Sequence, residues 1–126
     1  MAGYEQIFKA LSDKNRLRLM RLLAETDQQV CVCELMDAVE LPQYQVSRHL
    51  IILKNAGLVN TERKGTWIYY SPLREGAAFN QRLFDLLKDQ VTEKIFFQDE
   101  KKLKKRLSLR QDDRCVKGRA DRKCKE

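Results

Sequence analysis

Histidine, tryptophan and proline are scarce in this chain of 126 residues: one, one and two copies respectively. A lone histidine, His49, argues against histidine-rich zinc sites. No Cys-x-x-Cys motif occurs, no phosphate-binding loop, and no catalytic base near the paired cysteines, which argues against an enzyme. No apolar run approaches the roughly 18 residues of a membrane-spanning helix, so no membrane partner is expected. The start, Met1-Ala2-Gly3-Tyr4-Glu5-Gln6, carries a carboxylate and no basic segment, unlike a secretory signal. The expected compartment is the cytoplasm, where four cysteines serve as free thiols or ligands rather than as disulfides.

Hydrophobic residues make up 43% of the chain, enough for one domain. The net charge of +7 is unevenly placed. Residues 101–126 hold 12 of the 25 Lys and Arg but only 4 of the 18 Asp and Glu. The division expected is a folded unit over 1–100 and a basic, flexible tail over 101–126. Any nucleic-acid surface in the folded part must then be a local basic patch. The tail would add salt-dependent affinity for DNA, or simply be solvated.

Apolar spacing predicts helices over about 4–11 and 13–25, with Ser12 as the N-cap of the second. A short helix follows over about 32–39. Glu40-Leu41-Pro42 breaks the chain, and a further helix runs over about 43–55 with Val46, Leu50 and Leu53 inward. Gly57 suits the left-handed position after its end. Two β-rich runs, 58–63 and 66–71, flank Lys64-Gly65 and predict a hairpin. A long helix from about Gly76 to at least Glu100 carries Phe79, Leu83, Leu86, Leu87, Val91 and Ile95 on one side.

Two short helices around a tight break, then a hairpin, predict a winged helix-turn-helix, mainly α with a β-hairpin wing. A helix fits the major groove, where side chains reach base edges. Gln43 and Gln45 can pair with adenine, Arg48 with guanine, and Ser47 with a base or phosphate. Tyr44 can stack, touch a phosphate or shield the turn. His49 serves either packing or a phosphate contact. Arg63 and Lys64 suit phosphate or the minor groove. Trp67, Tyr69 and Tyr70 read as packing in the wing. So small a domain cannot bury the last apolar helix alone. A homodimer through Ile7, Phe8, Phe79, Leu83, Leu86 and Leu87 would cover it and match a pseudo-palindromic double-stranded operator.

The run Phe8-Lys9-Ala10-Leu11-Ser12-Asp13-Lys14-Asn15-Arg16-Leu17-Arg18 resembles the ArsR/SmtB family of metal-responsive repressors. So do Val32-Cys33-Glu34-Leu35, Val46-Ser47-Arg48-His49-Leu50, Gly57-Leu58-Val59 and Gly65-Thr66-Trp67-Ile68-Tyr69-Tyr70. The resemblance implies an αααα-ββ-α winged fold, a homodimer, and repression relieved by a ligand. Cys31-Val32-Cys33 is similar to the arsenic-responsive branch, whose motif reads Cys-Val-Cys-Asp-Leu-Cys. Met36 stands at the third cysteine position. A third thiolate would then come from Cys115, Cys124 or a small cellular thiol, unless two suffice.

Soft thiolates favour As(III), Sb(III), Cd(II) or Pb(II) over hard cations. On a regular helix residues i and i+2 lie about 200° apart, so Cys31 and Cys33 can share an ion only if the helix start is extended. Chelation is therefore expected to unwind that start and re-aim the reading helix. The expected function is a repressor of a metalloid-resistance operon, with As(III), and Sb(III) beside it, as inducer and no catalytic cofactor. The alternatives are a Cd/Pb or thiol-redox sensor of the same fold, buried cysteines without a ligand, a dithiol oxidoreductase or arsenate reductase, or a non-transcriptional interaction module. Asp85, Asp89 and Glu93 on the last helix lack a neighbouring histidine, which argues against zinc sensing there.

Overall fold

The computed structural model describes residues 3–110. The order is α1 (Tyr4–Ala10), α2 (Lys14–Thr26), β1 (Val30–Cys31), α3 (Val32–Val39), α4 (Gln43–Asn55), β2 (Val59–Lys64), β3 (Trp67–Pro72), α5 (Ala78–Gln90) and α6 (Lys94–Leu107). The architecture is the expected mainly α winged helix-turn-helix, with two additions, β1 and α6.

Helix α2 runs through the core, with Leu19, Met20, Leu22, Leu23 and Ala24 buried. Its N-cap is Asp13, not Ser12: the Asp13 carboxylate accepts from the Asn15 and Arg16 N–H groups at 3.0 and 3.1 Å. Ser12 instead donates to the Lys9 carbonyl, closing α1. Helices α3 and α4 keep the predicted bounds. Glu40 ends α3 in the left-handed region (φ 57°), and Pro42 supplies the extended entry to α4. Gly57 takes φ 77°, and the Leu58 N–H reaches back to the Leu53 carbonyl, so α4 ends as glycine at C′ predicts.

The sheet is antiparallel in the order β1-β3-β2. The hairpin pairs Lys64 with Trp67, leaving Gly65-Thr66 at the tip with Gly65 at φ 64°. The two-residue strand β1 pairs Val30 with Tyr70 and Cys31 with Tyr69. It ties the start of α3 to the wing.

The expected single helix from Gly76 to Glu100 is two helices. It breaks after Gln90, and α6 folds back across α2 and α3. The turn is held by α2: Arg21 donates to the Leu87 and Lys88 carbonyls, the open end of α5, and pairs with Glu100 of α6. Arg18 grips Asp99 through two bonds of 2.9 Å. Helix α6 buries Phe96, Asp99, Leu103 and Arg106, a stripe at helical spacing. It also runs past residue 100, so 101–107 are packed helix where a tail was expected. Among the described residues, no helix is long and apolar enough to cross a membrane.

Candidate functional site

Helix α4 presents two faces. Val46, Leu50 and Leu53 are fully buried and fix its orientation on the core. Tyr44 and Arg48 are exposed on the opposite side, with Gln43, Gln45 and Ser47 half-buried along the flanks. Arg63 and Lys64 are exposed in the wing, and Lys64 lies 5.3 Å over the Tyr69 ring. Tyr69 and Tyr70 are buried and Trp67 half-buried, as wing packing requires. Polar donors on a rigid helix beside a basic hairpin make a surface suited to a DNA groove.

His49 faces inward, 7% exposed, with Nδ1 3.4 Å from the Arg16 guanidinium. Arginine only donates, so Nδ1 accepts and the neutral ring carries its proton on Nε2. Burial lowers the His49 pKa; Arg16 and Arg48 lower it further, against the opposing pull of Asp13. Burial works against the Asp13 charge, but the Arg16 N–H and guanidinium, His49 and the Asn15 N–H outweigh it, and its carboxyl sits below the ordinary range. Arg16 also donates to the Ala10 carbonyl at 2.6 Å. The start of α2 is thus wired to the middle of α4.

The thiol pair sits at the junction of β1 and α3. Cys31 is the extended N-cap of α3 (φ −87°, ψ 166°), and Cys33 lies in the first helical turn. Both are buried. Cys31 is in the reduced, thiol form. Cys33 is disulfide-bonded, so reduction must precede any ligation by its sulfur. The expectation that the cysteines serve as free thiols or ligands rather than as disulfides does not hold for Cys33. Cys115 and Cys124 lie outside the described residues. Among the described residues, no group of three or more His, Cys, Asp or Glu side chains is placed to hold a metal ion. The half-buried thioether of Met36 lies on the same helix.

A clamp that the sequence did not reveal closes over this junction. Glu34 is fully buried and accepts from the Cys31 N–H at 3.1 Å, the reciprocal arm of a capping box. Arg110 meets its two carboxylate oxygens at 2.8 Å each and also donates to the Gln29 carbonyl. The Arg110 guanidinium lies 5.8 Å over the ring of Tyr69, the β3 partner of Cys31. Four residues earlier, Arg106 of α6 pairs with Asp37 of α3 at 2.8 Å. Helix α6, with Arg110 just beyond its end, therefore holds down the segment that carries the thiols.

Of the residues expected at a dimer contact, Phe8, Phe79 and Leu86 are exposed (58, 37 and 53%). Ile7, Leu83 and Leu87 are already buried within the chain. Tyr4, not anticipated, joins the exposed group: its ring lies 4.8 Å from that of Phe79, which meets Phe8 at 6.2 Å.

Residues 13–61 match the model described as "Bacterial regulatory protein, arsR family". An HTH-type transcriptional regulator of Methanocaldococcus jannaschii is 46% identical over 73 residues, 56% of this chain and 81% of that protein. The arsenical resistance operon repressor of Bacillus subtilis is 48% identical over 67 residues, 53% of this chain and 63% of the repressor's length. The putative arsenical resistance operon repressor of Halobacterium salinarum is 37% identical over 86 residues, 68% of this chain and 72% of that one. Among solved structures, reduced HlyU from Vibrio cholerae superposes with a TM-score of 0.61 at 26% identity, covering 71% of this chain and 88% of HlyU. Family and fold are those of DNA-binding regulators rather than of enzymes. With its reading helix, its wing and these relatives, the chain belongs to the arsR family of bacterial regulatory proteins.

Proposed function

We propose that this protein is a cytoplasmic, homodimeric repressor of a metalloid-resistance operon. It leaves its operator when As(III), or Sb(III), binds the thiolates of Cys31 and Cys33. The observation that carries this reading is the position of the pair: Cys31 caps the first helix of the DNA-reading unit, and Cys33 stands within its first turn. The extended backbone at Cys31 makes that end, not the helix body, the place where two sulfurs can converge. Drawing them onto one trivalent centre strains the cap and the first turn of α3, which packs on α4. The α4 helices of the two protomers then lose the relative aim that two successive major grooves demand. Several relatives are named as arsenical resistance operon repressors, which supports the choice of ligand. A third ligand from Cys115, Cys124 or a small thiol completes the pyramid.

The recognition residues are Gln43, Tyr44, Gln45, Ser47 and Arg48, with Arg63 and Lys64 on the backbone and His49 holding α4 in place. The exposed aromatic patch of Tyr4, Phe8 and Phe79 with Leu86 is the self-association surface. The test is fluorescence anisotropy of an upstream-promoter duplex with the reduced protein, titrated with arsenite, antimonite, Cd(II) or Pb(II). Tight, salt-dependent binding released by arsenite supports the reading; binding that only Cd(II) or Pb(II) releases refutes the choice of ion.

A further inference from the structure

We propose that Ile51 is a base-reading residue that recognises the C5-methyl group of a thymine in the operator's major groove. The inference rests on α4 being the DNA-reading helix, and it adds a residue chosen for what it cannot do.

Opposite the buried stripe of α4, the positions i, i+4, i+7 and i+11 are Tyr44, Arg48, Ile51 and Asn55, and all four are exposed. Ile51 is 52% exposed. Its neighbour Ile52, one step round the helix, packs against the core, so the fold draws on one isoleucine and not the other. Nor does Ile51 belong to the aromatic patch formed by Tyr4 and Phe8 of α1 with Phe79 of α5. Its flanks on α4 are polar: Ser47 and Arg48 before it, Lys54 and Asn55 after it. Those cations complement phosphate, which favours DNA over a protein as the occupant of this face.

Tyr44 and Ile51 are two turns apart, roughly 10 Å along the helix axis. Ile51 therefore addresses a different base pair from Tyr44. A branched hydrocarbon can neither donate nor accept. In the major groove the base edges present donors and acceptors, and the thymine methyl is the apolar group that projects among them. Set against any other base edge, Ile51 would strip water from a polar group and return no hydrogen bond. It thus selects thymine both by contact and by penalty.

The experiment uses the full reduced chain and the operator duplex, with each thymine replaced singly by deoxyuridine, which removes only the methyl group. Affinity is read by anisotropy for the wild type and Ile51→Ala. At one thymine in each half-site, uracil should weaken the wild type about fourfold, the factor carried by one buried methyl group. Ile51→Ala should bind the thymine operator weaker by a similar factor and no longer tell thymine from uracil there. Unchanged discrimination in Ile51→Ala overturns the assignment. So does a dimer that Ile51→Ala dissociates in sedimentation, which would make this face a protein contact. If the wild type binds no duplex specifically, the DNA-reading role of α4 itself fails, an outcome distinct from the loss of Ile51 alone.

Discussion

Removing Arg110 should cost far more than its place beyond the last helix suggests. Its side chain is 9% exposed, and that of its partner Glu34 is 0% exposed. Arg110→Ala would leave a carboxylate buried, still bonded to the Cys31 N–H but without its cation. Breaking a buried pair from one side costs about 3–5 kcal/mol. Arg110 follows the end of α6, so local opening can admit water to Glu34, and the lower figure of about 3 kcal/mol is expected. With a urea m-value of roughly 1.5 kcal/mol/M, the unfolding midpoint falls by about 2 M. Two controls sharpen the test. Lys102→Ala removes an ion pair whose side chains are 41% and 50% exposed, and should cost under about 0.5 kcal/mol. Glu34→Gln keeps an acceptor for Cys31 but no charge, so adding Arg110→Ala to it should cost much less than in the wild type. Equilibrium urea unfolding in reductant gives all four numbers. An Arg110→Ala loss below about 0.5 kcal/mol, or equal losses in both backgrounds, would refute the clamp.

Other outcomes follow from the same geometry. The His49 pKa is lowered in the folded chain, so its contribution is fully present above the ordinary value of 6.5 and is lost as pH falls below it, where the unfolded chain takes the proton first. Thermal melts should fall from pH 7.5 to pH 5.5, and His49→Gln should flatten that slope. Asp13→Ala removes the α2 cap and should cost about 1 kcal/mol in urea unfolding, whereas Ser12→Ala should cost less. Lys64→Ala should weaken operator and random DNA alike and reduce the salt slope by about 1. Arg48→Ala should instead erode the preference for operator, by about 1–3 kcal/mol, in competition binding.

The reading unit was legible in the sequence because its signals are local. Val46, Leu50 and Leu53 mark the buried stripe of α4, Pro42 its start and Gly57 its end. The split between α5 and α6 was hidden because Leu87, Val91 and Ile95 keep helical spacing across it. What breaks the helix is distant: Arg18 and Arg21 reach residues 66 to 81 positions away. The Glu34–Arg110 clamp spans 76 positions, and no local pattern announces it. Strand β1 is too short for any alternation to show. Ser12 and Asp13 are adjacent and equally suited to cap α2; only the backbone path decides between them.

The central claim is that the thiols at the start of α3 control the aim of α4. The most direct test compares arsenite titrations of the reduced protein on its operator, by fluorescence anisotropy, for wild type and Cys31→Ser/Cys33→Ser. Release of the wild type and retention of the double variant at the same arsenite concentration are expected. Equal release of both, or no release of either while arsenite is bound by the wild-type thiols, would contradict the claim.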